Sequence, residues 1–442
     1  MQKNGHFFCY FVFWLVIYYF SLDKRLLFQY HHRDIFTSLV CMPLVIVTWL
    51  LLLYGILALF SVSVHESFTT TLSLINKWIL QWDPSNYFFF FKQIKNFAYV
   101  AIVGYIIYLF PLRALKNHKF LAILSVTIFI FQILVFTPLG SKLWGARGWL
   151  DLPGLPSIQP SEFFKLGYVL FIAWWFVRKQ HLLNSGVILK KFFFMNALLL
   201  WIFLLIPDLW SVLVMGLTSL IMCIYAGVST KNILRMLGIG IGWFGIIAWI
   251  FIGIKSSFCT INPNNTNGKE SLPKICRYTY ITRRFEVFLD PEEDTTGRNT
   301  SRQNRQAVIA IGWGWFWWKW YGKWLQKFGY IPEAQSDFIF AAFAEETGFW
   351  WVIILLWLYS ALVYYTVIKI YLVKDNYFKL LSIWLISLLV VEVFVHIGVN
   401  IQLLPNTWLT LPFISYGGTS LMTSIIAVVL LYKILYVSPH KL

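Results

Sequence analysis

The chain has 442 residues, of which 59% are hydrophobic and 12% charged, and so few charges cannot cover that much apolar surface in water. A water-soluble globular protein is excluded. The formal net charge of +17 does not point to nucleic acid, because the Lys and Arg residues are dispersed among loops and form no basic patch interleaved with stacking aromatics.

In chain order, residues 7–20 (FFCYFVFWLVIYYF) come first. They are apolar but short for a span, and no small-residue cleavage site precedes Ser21, so an interfacial or extra anchoring segment is expected in place of a cleaved signal peptide. Apolar stretches long enough to cross about 30 Å of hydrocarbon follow near 38–62, 94–112, 119–138, 162–178, 190–206, 210–228, 233–254, 348–372, 379–401 and 416–436. The fold class expected is an all-α polytopic membrane protein with about ten transmembrane helices. A segment 1–36 precedes the membrane domain 37–437, and a tail 438–442 follows it.

Short loops rich in Lys and Arg resist translocation and mark the cytoplasmic side. Arg113, Lys116 and Lys119 lie in the second loop, Arg178, Lys179, Lys190 and Lys191 in the fourth, Lys231 and Arg235 in the sixth, and Lys374 and Lys379 in the eighth. The segments 64–93, 138–161, 255–336 and 402–412 are then expected to face outward. The large loop 255–336, between spans 7 and 8, carries twelve Lys/Arg against seven Asp/Glu. Long loops are exempt from the orientation rule, and a cationic outer surface suits an anionic, phosphate-bearing lipid. A merely solvated loop explains the same charge.

The five cysteines, Cys9, Cys41, Cys223, Cys259 and Cys276, have no metal-ligand spacing. No metal ligand is assigned. Cys259 and Cys276 share the outward loop, where oxidising conditions allow a disulfide.

Carboxylates within a membrane domain persist mainly where they serve a pathway or a site. Glu162 opens the fourth span with Lys165 one turn later on the same face; Pro207-Asp208 sits at the outer end of the fifth. Asp337, Glu345 and Glu346 lie in the apolar run SDFIFAAFAEETGF, and Glu392, His396 and Asn400 share a face of the ninth span. Each has a purely structural reading: an i, i+3 ion pair for Glu162 with Lys165, interhelical hydrogen bonds for the ninth span, and a helix N-cap for Ser336 and Asp337. Capping and catalysis are compatible. A carboxylate at the outer edge of a basic loop is placed to take a proton from a substrate hydroxyl.

Six ordered motifs carry a resemblance. They are GARGWLDLPGLPSIQPSEFFKL at 145–166, PDLWSVLV at 207–214, RRFEVFLDPEEDTTG at 283–297, AIGWG at 310–314, QKFGYIPEAQSDFIFAAFAEETGF at 326–349 and NIQLLPNTWLTLPFISYGGTSL at 400–421. Together they resemble the SEDS family (shape, elongation, division and sporulation), its division-site branch FtsW more than its elongation branch RodA. The resemblance implies a ten-span glycosyltransferase that polymerises lipid II, a disaccharide-pentapeptide on undecaprenyl pyrophosphate, into β-1,4 glycan at the outer face of the cytoplasmic membrane. It implies a class B penicillin-binding protein as transpeptidase partner, together with other division proteins. It places the catalytic acid on Asp337, and substrate binding on Arg284, Glu162, Lys165, Asp208, Glu345 and Ser415. The sequence leaves open a need for a divalent cation such as Mg or Mn. A lipid II flippase and a non-catalytic division scaffold are the competing functions; a flippase needs polar groups through the full membrane depth, whereas these acids cluster at the outward ends of spans.

Two departures stand out. Gly148 replaces a family arginine, leaving Arg147 alone, so this loop receives no substrate role. Six tryptophans crowd positions 313–324, and Trp315, Trp318, Trp320, Trp324, Trp210, Trp351 and Trp408 stand where relatives carry glycine. Glycine reaches positive φ and admits close backbone approach, and an indole does neither. The one-way pattern suggests UGA codons that the host reads as glycine; UGG codons at Trp315, Trp318, Trp320 and Trp324 would end that reading in favour of an interfacial aromatic belt.

Overall fold

A computed structural model of the protein describes residues 34–76, 83–143, 146–151, 157–180, 183, 185–206, 208–240, 242, 245, 300–314, 331 and 333–437. The segment 7–20, Cys259, Cys276, Arg284 and Trp315 to Trp324 lie outside the described residues. Two compact units are distinguished, residues 1–46 and 47–442. In the first, the described part is helical and belongs to α1 (Asp34–Val62), which ends in the second unit.

The second unit continues with α2 (Val64–Asn76), α3 (Phe88–Leu109), α4 (His118–Ile133), a strand pair β1 (Gly140–Leu143) and β2 (Ala146–Leu150), α5 (Pro160–Lys179), α6 (Gly186–Leu205) and α7 (Leu209–Tyr225). Residues 230–240 form α8. Within the segment 255–336 lies α9 (Thr300–Trp313), and after it come α10 (Ile339–Thr347), α11 (Phe349–Ile370), α12 (Asn376–Asn400) and α13 (Gly418–Tyr432), which runs on into a π-helical turn (Lys433–Val437). Among the described residues, five stretches, Pro43–Val62, His118–Phe136, Phe349–Ile370, Asn376–Asn400 and Gly418–Val437, are long and apolar enough to cross a membrane. The fold is a polytopic helical membrane fold.

The all-α expectation needs one amendment. Strands β1 and β2 pair antiparallel, Gly140 opposite Leu150 and Leu143 opposite Ala146, with an irregularity between Ser141 and Lys142. Leu150 is fully buried and also bridges to Ile158. A Cβ on Gly140 would lie 1.9 Å from the Val135 carbonyl oxygen, so this close approach requires glycine.

Helix α12 is the axle. At 1.5 Å per residue its 25 residues span about 37 Å, and α5, α7, α9, α10, α11 and α13 all pack on it. The Asp375 side chain caps its start by accepting from the Tyr377 and Phe378 N–H groups. Trp384 on α12 is fully buried, with its ring 5.7 Å from that of Tyr168 and 6.4 Å from that of Phe176, both on α5. By contrast, only 17% of His118–Phe136 is buried against 78% of Asn376–Asn400, which makes α4 a peripheral, lipid-facing element.

Segments assigned to one side by their charges meet each other. Lys116 Nζ lies 2.5 Å from Asp375 Oδ2, and the Lys433 ammonium donates to the carbonyls of Tyr108 and Phe110 at the end of α3, where a cation favours the exposed carbonyls. At the opposite end of α12, Asn406 Nδ2 donates to Gln303 Oε1 at 3.3 Å, joining the 402–412 segment to α9.

Candidate active site

The turn before α10 carries Asp337. The N–H groups of Ser336 and Asp337 both donate to the Glu333 carbonyl at 3.1 Å, and Glu333 itself has φ 56°, a left-handed conformation that costs a non-glycine residue energy and is held only where surrounding contacts fix it. Phe338 anchors the turn in a core with Val62, Ala307, Ala310, Ile331, Ala334, Ala341 and Ala342. Asp337 is partly exposed.

The cap of α10 is not the one expected. Its N-cap residue is Phe338, which supplies no side-chain hydrogen bond; the oxygen comes from Asn400, whose Oδ1 accepts from the Ala341 N–H at 3.1 Å. This cap oxygen is delivered from another helix.

A second group of contacts closes over the same turn. Ser415 Oγ donates to the Ser336 carbonyl at 2.7 Å and accepts from the Leu411 N–H at 2.8 Å, while the Tyr416 N–H donates to the Gln335 carbonyl at 2.9 Å. Ser415, expected to bind substrate, is thus engaged in holding backbone. Phe413 has φ 69°, and a Cβ on Gly55 of α1 would lie 2.3 Å from its carbonyl oxygen, so this loop rests directly on α1 backbone. Lys92 Nζ lies 5.6 Å from the Phe88 ring and 5.9 Å from the Tyr416 ring, within cation–π range, and brings a cation beside the turn.

Deeper lies a buried charge cluster. Lys165 Nζ is 2.9 Å from Glu162 Oε2 and also bonds Glu392 Oε1 on α12. Thr423 Oγ1 donates to Glu162 Oε2 at 3.3 Å. All of these side chains are buried. The expected i, i+3 pair is therefore a triad joining α5 to α12. Asp208 caps α7 by accepting from the Ser211 N–H at 3.1 Å and the Ser211 hydroxyl at 2.7 Å. Glu345 and Glu346 are buried on α10, and Ser61 Oγ donates to Glu346 Oε1. A Cβ on Gly314 would lie 2.2 Å from the Ala344 carbonyl oxygen, so α9 ends against α10 backbone. Among the described residues no group of three or more His, Cys, Asp or Glu is placed to hold a metal ion.

Sequence reasoning passed over Glu333. Burial, with the Glu66 charge adding to it, pushes its carboxyl up to about 7 from 4.5. Between those values the folded state holds a proton that the unfolded state has lost, so this contribution is full below pH 4.5 and is lost as pH rises through about 7. Glu333→Gln should remove the loss. Its stability advantage over the parent should grow from pH 5 to pH 8 by roughly 1–3 kcal/mol, read as the difference of thermal midpoints; parallel pH curves for the two proteins would contradict this.

Comparison with known proteins places the chain. A family model described as cell cycle protein, covering FtsW, RodA and SpoVE, matches residues 42–439. The chain is 31% identical to stage V sporulation protein E of Bacillus subtilis over 396 residues, 88% of this chain and 95% of that one. It is 30% identical to a probable peptidoglycan glycosyltransferase FtsW of Lactococcus lactis over 303 residues, 63% of this chain and 66% of the relative. Among solved structures, a chain from work on polymerization and crosslinking by a peptidoglycan synthase complex superposes with TM-score 0.63 at 20% identity, covering 90% of this chain and 98% of that one. Thermus thermophilus rod shape determining protein RodA superposes with TM-score 0.56 at 19% identity, covering 90% and 96%.

Proposed function

Because the chain belongs to the FtsW, RodA and SpoVE family of cell cycle proteins, we propose that it is a peptidoglycan glycosyltransferase that polymerises lipid II at the outer face of the cytoplasmic membrane. The observation that carries the chemistry is the turn at Asp337, a partly exposed carboxylate whose backbone is held by α12 and by the 411–416 loop. The Asp337 carboxylate takes the proton from the acceptor sugar's 4-hydroxyl, the oxygen attacks the donor's anomeric carbon, and the lipid pyrophosphate leaves with the electron pair of the broken bond. Arg284 and the other cations of the basic loop neutralise that leaving group. Lys165 and Glu162 support the cavity from below, with Asp208, Glu345 and Ser415 completing its frame.

The finer architecture belongs to the same reading: about ten spans, the large loop 255–336 outside, and action at the division site with a class B penicillin-binding protein that cross-links the strand. The flippase alternative has less support. On α12 the buried charges stop at Glu392, eight residues from Asn400, or about 12 Å from the outer end, and Glu392 is paired with Lys165.

The test is purified full-length protein with lipid II, alone and with its transpeptidase. Glycan polymer is expected; transport of lipid II across vesicles with no polymer in either condition would overturn the reading. Arg284→Ala should lower lipid II affinity or turnover about tenfold or more, at the level of one lost charge-assisted contact, with the thermal midpoint unchanged. Parent-level affinity and turnover would reduce Arg284 to a structural residue.

A further inference from the structure

The last two turns and more of α12 present Glu392, His396 and Asn400 on one face, each buried. Asn400 is fully buried at the last position of the helix, and its amide makes three hydrogen bonds. Nδ2 donates to the Asp337 carbonyl at 3.0 Å and to the His396 carbonyl at 2.9 Å, and Oδ1 accepts from the Ala341 N–H at 3.1 Å. The two bonds to the turn straddle Asp337: one grips its own carbonyl, the other the first turn of the helix that follows. One rigid planar amide therefore fixes where the Asp337 backbone sits relative to α12.

One turn earlier, His396 Nδ1 lies 2.7 Å from the Leu409 carbonyl oxygen. A carbonyl only accepts, so Nδ1 carries the proton and the ring donates to the 402–412 segment. That segment leads into Leu411, whose N–H donates to Ser415 Oγ, and on to Ser415 and Tyr416, which donate to the carbonyls of Ser336 and Gln335. The same face of α12 thus holds the Asp337 turn directly through Asn400 and indirectly through His396.

We propose that Asn400 is the positioning residue of this enzyme: it does not touch substrate, and it sets the Asp337 carboxylate in line with the acceptor hydroxyl by clasping the Asp337 carbonyl and the Ala341 N–H. The inference rests on the glycosyltransferase reading and on Asp337 as its base. Misplacement of a catalytic group by about 1 Å costs on the order of 100-fold in rate without weakening binding of distant parts of the substrate. A positioning residue therefore affects kcat and leaves KM in place.

The experiment compares Asn400→Asp, Asn400→Ala and Asp337→Asn with the parent, using full-length protein and lipid II. Asn400→Asp keeps an oxygen for the Ala341 N–H and loses the donor to the Asp337 carbonyl; Asn400→Ala loses both. Each Asn400 variant should lower kcat by roughly 10- to 100-fold, with KM for lipid II within about twofold of the parent. Hydrogen exchange at the Ala341 amide should quicken in Asn400→Ala and stay slow in Asn400→Asp. Should Asn400→Ala fail to fold, Asn400→Asp decides alone. Parent-level kcat in a folded Asn400 variant, or a rise in KM with kcat unchanged, overturns the clasp if Asp337→Asn is inactive. An active Asp337→Asn instead overturns the base assignment on which the clasp depends.

Discussion

Replacing Asp337 by asparagine is expected to leave the protein folded and to stop glycan synthesis. The substitution keeps shape and volume, and the hydrogen bonds that fix the turn run through backbone: the Asp337 carbonyl to Asn400, the Ser336 carbonyl to Ser415, the Gln335 carbonyl to Tyr416. None of these needs the carboxylate. What disappears is the proton acceptor, since an amide has no basic oxygen at neutral pH, and general-base catalysis of this kind contributes about 10²- to 10⁴-fold. Lipid II turned over by purified Asp337→Asn should fall by at least that factor while the thermal midpoint stays within a few degrees of the parent. Normal polymerisation by a folded Asn variant would remove Asp337 from the mechanism.

The helices with continuous apolar runs were legible in the sequence because hydrocarbon thickness dictates their length, and α1, α11, α12 and α13 fall close to the spans expected. Local pairs were legible too, since Glu162 and Lys165 are one turn apart. Long-range partners were not. Glu392 completes that pair from 227 residues away, and Asn400 caps α10 across 59 residues, connections that no periodicity encodes. Ser336 and Asp337 looked like an N-cap because short polar residues preceded an apolar run, but a buried amide on a neighbouring helix reached the Ala341 N–H instead. The hairpin β1–β2 was missed because four- and five-residue strands leave too short an alternation to register. Of the tryptophans expected at family glycines, Trp210 and Trp351 lie within helices, and neither they nor Trp408 has a positive φ.

The largest effect on stability is expected at Lys165. Its ammonium sits between Glu162 and Glu392 with all three side chains buried, and removing one member of a buried ion cluster leaves charge that neither water nor a partner compensates, at a cost of about 3–5 kcal/mol. Lys165→Met is the sharpest version, because it keeps an unbranched side chain only one atom shorter while removing the ammonium, so a cavity accounts for little of the loss. The two carboxylates then face each other across the α5–α12 junction, directly beneath His396 and Asn400. If electrostatics is the cause, neutralising both acids should restore the fold: Lys165→Met combined with Glu162→Gln and Glu392→Gln should recover most of the lost stability, since well-packed neutral replacements of a buried ion cluster are often neutral or stabilising. Thermal midpoints of the purified single and triple variants in one detergent give the answer. A single variant as stable as the triple would mean that the cluster is not held by its charges, and the triad would then have to be explained by function alone.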